Sequence, residues 1–178
     1  MAAYQFTSDS LVTVSVASKP ILGMKHEPVI GAAPPRTRIE LVETDGRVSA
    51  DVSFELDPRE LAPGSHGRAD SEKIRANLVG KDVLDADRFP TIIVKGRYEG
   101  TRTEGKLDAR ITLRGVPQHV TFPVTIRHEG ERLRVQGEWE GTLTSLGIKP
   151  FRALLGALTL KDWVRLTFRV ELEPLEPE

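Results

Sequence analysis

The chain has 178 residues, a net charge of −1, 39% hydrophobic and 29% charged residues, and no cysteine. Such a length suits one domain with a sizeable core, and the near-zero charge leaves no basic field to attract nucleic acid. The absence of cysteine excludes disulfides and thiolate metal sites, and the four histidines (His26, His66, His119, His128) lack metal-ligand spacing, so no metal is expected.

The opening stretch, MAAYQFTSDSLVTV, has neither the basic segment nor the apolar core of a signal peptide, which implies a cytoplasmic chain. Strands are predicted at about 10–16, 36–43 and 47–56. The third, VSADVSFEL, alternates apolar and polar from Val48 to Leu56. Asp45-Gly46 ahead of it tolerates the positive φ of a type I′ hairpin turn. ADSEKIRANLVG, from Ala69, reads as a short helix with Asp70 or Ser71 as N-cap and Gly80 as its stop. Further strands are expected at about 91–98, 106–114, 119–127, 132–145 and 159–172, with LDARITL, VTFPVTI and VRLTFRVEL all alternating. Pro123 turns outward and cannot donate to a ladder, so a bulge or irregular pairing is expected there. KPFRALLGAL, from Lys149, carries Phe151, Leu154, Leu155 and Leu158 after a proline and reads as a turn or two of helix. ALLGALTL, at 153–160, is far too short to span a bilayer. Residues 1–173 form a single domain on this reading, and the acidic, proline-bearing 174–178 form a frayed tail.

Alternation with one wet and one dry face is the mark of antiparallel sheet. Eight such strands predict an all-β fold with short helices, closed into an antiparallel barrel that leaves no free edge. The chemical candidates are weak. Asp82, Asp85 and Asp87 are loosely spaced in a polar stretch, where solvated loop carboxylates are expected rather than catalysts. His119 and His128 flank one strand, but no serine sits in a nucleophile elbow. GSHG, at 64–67, reads as a flexible turn around His66. No phosphate-binding glycine frame is present.

The inward faces carry Val14, Val16, Val52, Phe54, Leu56, Ile92, Val94, Ile111, Leu113, Phe122, Val124, Trp139, Leu166 and Phe168. An eight-stranded barrel is wide enough either to fill with side chains or to hold one small ligand. Periodicity does not separate these; taken alone it slightly favours a packed core. Trp163 alternates outward beside Arg165 and Arg169, which suits a subunit contact and a twofold homodimer.

One segment narrows the choice. DVLDADRFPTIIV, at 82–94, resembles the most recognisable stretch of the YceI-like family, the lipocalin-like polyisoprenoid-binding proteins. GKLDARITLRGVPQHVTFPV resembles that family's central hairpin, TLTSLGIKP its late strand end, and LTLKDWVRLTFRVELE its closing strand, with Asp162 at the family's acidic position. The likeness covers roughly 47–173 and is poor over the first forty residues. It implies an eight-stranded lipocalin-like barrel with an elongated apolar interior and helices at its mouth. It also implies non-enzymatic binding of a long-chain isoprenoid, such as a quinone, or of a fatty-amide-like lipid, with no catalytic residues and no membrane insertion. On this view Phe89-Pro90 packs the barrel end, and the aspartates belong to the loop leading in.

The ligand-lining candidates are then the inward residues Val14, Val16, Val52, Phe54, Ile92, Val94, Ile111, Leu113, Phe122, Val124, Trp139 and Phe168. Ile74, Leu78, Phe151, Leu154 and Leu155 join them at the mouth, with a sealing role weighed equally. Two rival readings stay open. One is a packed barrel serving as an interaction or stress-protection protein. The other is a small barrel enzyme with His119 or one of the 82–87 aspartates as base, which needs a titratable side chain pointing inward.

Overall fold

The computed structural model describes residues 1–19, 25–32, 34, 36–63, 68–149, 152–153 and 158–176. Among the described residues there are twelve strand segments: β1 (Ala2–Phe6), β2 (Leu11–Lys19), β3 (Lys25–Ala32), β4 (Arg38–Thr44), β5 (Arg47–Leu56), β6 (Ala62–Pro63), β7 (Ile92–Gly100), β8 (Glu104–Leu113), β9 (Val116–Glu129), β10 (Arg132–Gly141), β11 (Arg152–Ala153) and β12 (Leu158–Pro174). A helix, α1 (Arg68–Val79), lies between β6 and β7, and single turns of 3₁₀ helix fall at Pro58–Glu60 and Thr144–Leu146.

Eight strands close an antiparallel ring in the order β1-β4-β5-β7-β8-β9-β10-β12, with β12 returning to β1. Closure holds around the lower end, where the turns at 45–46, 101–103 and 130–131 lie. Toward the upper end the ring divides. β4 leaves β5 after Glu40↔Asp51, and β9 leaves β10 after Val124↔Gly137. Above those points β5, β7, β8 and β9 make one leaf, while β10, β12, β2 and β3 make the other. β1 and β2 run one after the other along the same edge of β12, interrupted by a bend at Thr7–Ser10.

Local chemistry accounts for these elements. Asp45 and Gly46 both have positive φ, at 52° and 76°, as a type I′ turn requires. Arg114 and Gly115 repeat the pattern between β8 and β9, at 52° and 73°. Burial along β5, β8 and β9 follows the predicted alternation. The helix ends where Gly80 was expected to stop it, and the Gly80 amide donates to Asn77 O at 3.3 Å.

Several expectations need correction. No bulge occurs at Pro123, which pairs in register with Lys106. Instead the ladder with β10 stops one residue away at Val124, so the irregularity takes the form of a leaf boundary. The strand expected to reach 145 ends at Gly141. Arg152 and Ala153, expected to be helical, form β11 against β12, and the residues around them lie outside those described. β1, β3 and β6 were not anticipated.

Candidate functional site

The inward faces of both leaves and of the closed ring surround an apolar cavity of about 260 Å³. Among the predicted site residues, Val52, Phe54, Leu78, Ile92, Val94, Ile111, Leu113, Phe122, Val124 and Phe168 line it, as do Leu56 and Leu166. Two edge-to-face aromatic pairs shape its walls. Phe6 meets Phe54 with ring centroids 5.8 Å apart, and Phe122 meets Phe168 at 5.2 Å. Trp139 points inward and packs on the core but does not line the cavity. Its indole covers Gly141, where a Cβ would come 2.4 Å from the ring. The side chains of Val14, Val16 and Ile74, and residues Phe151, Leu154 and Leu155, lie outside those described.

The floor, at the closed end, is polar and tied by hydrogen bonds. Tyr98 Oη donates to Thr101 O at 2.7 Å, and the Ile126 amide donates to Thr103 O at 2.7 Å. His128 Nε2 lies 3.1 Å from Arg102 O, a partner that only accepts, so the ring nitrogen donates. Arg102 Nε donates to Glu43 Oε2 at 2.9 Å, so the loop between β7 and β8 is strapped to β9 on one side and to β4 on the other. Hydrogen bonds from Arg102 hold the Glu43 carboxyl below its usual range. Burial pushes the Tyr98 phenol up, against the lowering effect of its bond to Thr101, so it stays a neutral donor.

The roof, at the divided end, is built from segments without strand pairing. Past α1 the chain folds back on the helix terminus. Leu84 N donates to Leu78 O at 3.1 Å and Ala86 N to Val79 O at 2.9 Å, which satisfies carbonyls the helix leaves open. This fold-back drives Val83 and Leu84 into the cavity. Arg59 pins it from outside, donating to Ala86 O and to Asp87, both at 3.1 Å. Asp82 and Asp87 are exposed as expected, but Asp85 is buried, 3.6 Å from Arg88. The reason is its backbone: Asp85 sits at φ 47°, its amide donates to Gly80 O, and its carbonyl accepts from the Arg88 and Phe89 amides. The carboxylate follows a main chain that the turn must bury.

Leu143, Leu146 and Ile148 form the other part of the roof, all buried and all lining the cavity. Their turn is held by Asp162, which accepts from the Thr144 amide at 2.9 Å and from the Thr144 hydroxyl. Those bonds hold the Asp162 carboxyl below its ordinary range. These roof residues were missed in the sequence because they lie outside the alternating runs, although they sit inside the two motifs DVLDADRF and TLTSLGI.

Among the described lining residues Tyr98 alone carries a titratable side chain. His119 is exposed on the outer face, and His128 faces the floor loop. Trp163 is also on the outer face, where its Nε1 donates to Glu140 at 2.6 Å and Arg165 lies over its ring at 5.3 Å. Among the described residues no group of three or more His, Asp or Glu side chains is placed to share a metal ion, and no helix is long and apolar enough to cross a membrane.

Comparison with known proteins places this geometry. The YceI-like domain, as a family model, matches residues 12–172. Among solved structures, Burkholderia cenocepacia BcnA superposes with a TM-score of 0.59 at 15% identity, covering 90% of this chain and 95% of BcnA. A Campylobacter jejuni YCEI protein superposes with a TM-score of 0.54 at 12% identity, covering 78% of this chain and 82% of that one. At such identities these neighbours speak to the fold. A search of curated protein sequences found no match.

Proposed function

Since the chain belongs to the YceI-like domain family, we propose that it is a non-enzymatic carrier that takes the apolar chain of an amphiphile into its barrel. The guest class is an isoprenoid, such as a quinone, or a fatty-amide-like lipid. One observation carries the reading: an interior of about 260 Å³ bounded by aliphatic and aromatic side chains from both leaves, the closed ring and the roof. A fully packed barrel, the rival reading, has no use for such a space, because empty apolar volume costs stability. Each buried methylene contributes about 0.8 kcal/mol, so a hydrocarbon tail binds here without any polar contact. The enzyme reading needs an inward base. Tyr98, the titratable group on the described lining, is committed to Thr101 and held neutral.

Native mass spectrometry of the purified protein, followed by solvent extraction and lipid identification, tests the proposal. A stoichiometric long-chain adduct is expected. A clean apo mass, together with no uptake of either a quinone or a fatty amide on titration, would sink it.

A further inference from the structure

The outer face of one leaf carries cations that the fold leaves unused, close behind an exposed apolar tip. We infer that the β8–β9 hairpin is a docking surface for an anionic lipid bilayer. Val116 enters the head-group layer, and a row of cations across β7, β8 and β9 meets the lipid phosphates. The inference goes beyond the carrier reading and does not depend on it.

The tip is set by its turn. Arg114 and Gly115 hold positive φ between β8 and β9, which leaves Val116 at the end of a tight hairpin at the divided end of the barrel. Val116 is 55% exposed, more than any other large hydrophobic side chain among the described residues except Met1. Pro117 beside it is exposed as well. Phe89 packs behind the turn, so close that a Cβ on Gly115 would lie 3.1 Å from its ring. Over that ring, at 5.2 Å, lies the guanidinium of Arg88, which is also 3.6 Å from Asp85.

Behind the tip, Lys95, Arg110 and His119 stand in one row. Arg110 is directly opposite Lys95 on β7 and His119 on β9, and all three are exposed. Side chains so placed are about 5 Å apart at Cβ, and like charges there destabilise a sheet. Elsewhere on the barrel Arg97, Arg102, Arg134 and Arg165 each hold a carboxylate. Among the described residues Lys95, Arg110, Arg114 and His119 have neither an ion pair nor a side-chain hydrogen bond. Carboxylates in the next row are engaged: Asp108 accepts from the Thr121 hydroxyl at 2.8 Å, and Asp51 is held by Arg97 at 3.0 Å. Glu55, in the row above, makes no ion pair with Lys95.

The spacing suits a bilayer. His119 lies three residues from Val116, about 10 Å along an extended strand, so an apolar tip at the head-group boundary leaves the cations at the level of the phosphates. An acidic protein fits less well, because such a contact buries an apolar centre within a polar rim. Here the apolar group stands at one end, with the charges behind it. One valine offers little apolar area, so charge carries most of the attraction, and docking is reversible and salt-sensitive. Leu113, paired with Val116 across the hairpin, lines the cavity, so docking brings the cavity rim to the bilayer.

Co-sedimentation with phosphatidylcholine vesicles, with and without phosphatidylglycerol, tests the inference. The protein should bind the phosphatidylglycerol vesicles at least about tenfold more tightly and lose that preference in high salt. Arg110→Gln should weaken binding about fivefold, and Arg110→Gln together with Arg114→Gln about twentyfold. Arg169→Gln, which removes an exposed cation from the other leaf, should leave it unchanged. Because the chain has no cysteine, Val116→Cys gives one site for an environment-sensitive dye. Its emission should shift to the blue on phosphatidylglycerol vesicles, while the same dye on Glu131→Cys, in the turn at the closed end, should not move. No preference for phosphatidylglycerol, an equal loss with Arg169→Gln, or an equal response at both labels would overturn the inference. Binding to polyglutamate, with the dye at position 116 silent on vesicles, would also overturn it and assign the face to an acidic protein. A clean apo mass and no uptake of a guest, with docking intact, would leave this inference standing and the carrier reading lost.

Discussion

The two halves of this barrel carry the same alternating code and come to different ends. In the closed half, inward residues such as Val48, Ala50, Tyr98, Ile126, Leu133 and Leu172 are buried against one another. In the divided half, Val52, Phe54, Val94, Ile111, Leu113 and Phe168 stand in the same inward register on some of the same strands, yet remain partly exposed. The difference is whether the neighbouring strand is present. Where the ring is complete, facing side chains meet at packing distance. Once β4 and β9 leave their partners, the leaves stand apart, and loop residues plug the gap less completely. Hollowness here is therefore a property of strand pairing, and it lies where no period-two pattern reports it.

Breaking each half in turn should separate them. Leu133 and Leu146 are each 4% exposed and both line the cavity, one in the ring and one in the roof. Truncating a buried leucine to alanine costs about 2–5 kcal/mol, more where the site cannot collapse. Leu133→Ala should fall toward the upper end of that range and Leu146→Ala toward the lower, because a turn relaxes into a void more readily than a paired strand. Urea denaturation of both variants measures this. Equal losses would show that the roof is as rigid as the ring.

The boundary between the halves can be sharpened at Gly137. It forms the last pair of β9 with β10, and a Cβ there would come 2.6 Å from the Phe168 ring and 3.0 Å from Pro123 O. Gly137→Ala should cost about 1–3 kcal/mol by overpacking and push Phe168 toward the cavity. Gly96 lies in the opposite leaf, where its Cβ would meet the ends of Leu107 and Val52 at 2.9 Å and 3.2 Å. Those side chains can turn away, so Gly96→Ala should cost less. Thermal melts of the pair decide the matter, and the reverse order would argue against Phe168 being held by the glycine.

The barrel was legible from its strands, and the cavity was legible only in part. VSADVSFEL, LDARITL and VTFPVTI announce β5, β8 and β9 because each has one dry face. The hairpin at Asp45-Gly46 and the helix stop at Gly80 follow from backbone chemistry that sequence displays directly. β3 hid because Lys25–Ala32 carries charge, a proline and a glycine where alternation should be. Val83, Leu84, Leu143 and Leu146 hid for another reason: a turn buries residues by where it is anchored, and anchors such as Arg59 and Asp162 are distant in sequence. Asp85 shows the same limit, since a carboxylate in a polar run reads as solvated until its main chain is seen to be a hydrogen-bonding hub.

The smallest expected effect isolates the roof alone and needs only acid. Asp162 holds the Thr144 turn as a carboxylate, and the two bonds from Thr144 keep its pKa below the ordinary value. A depressed carboxyl pKa contributes stability that is complete above the unfolded value, about 3.9, and is lost as pH falls through the folded one. Asp162 is solvent-exposed, so global stability should hardly register the change. The local effect is another matter: once protonated, Asp162 no longer offers an anionic acceptor, and Leu143, Leu146 and Ile148 lose the tie that seats them. Hydrogen exchange at the Ser145 to Ile148 amides, corrected for intrinsic rates, should therefore quicken below about pH 4 while the Ile126 amide in the floor stays protected. Asp162→Asn should give the quickened exchange already at neutral pH and remove its pH dependence. If floor and roof amides lose protection together in acid, the two halves open as one unit and the distinction drawn between them fails.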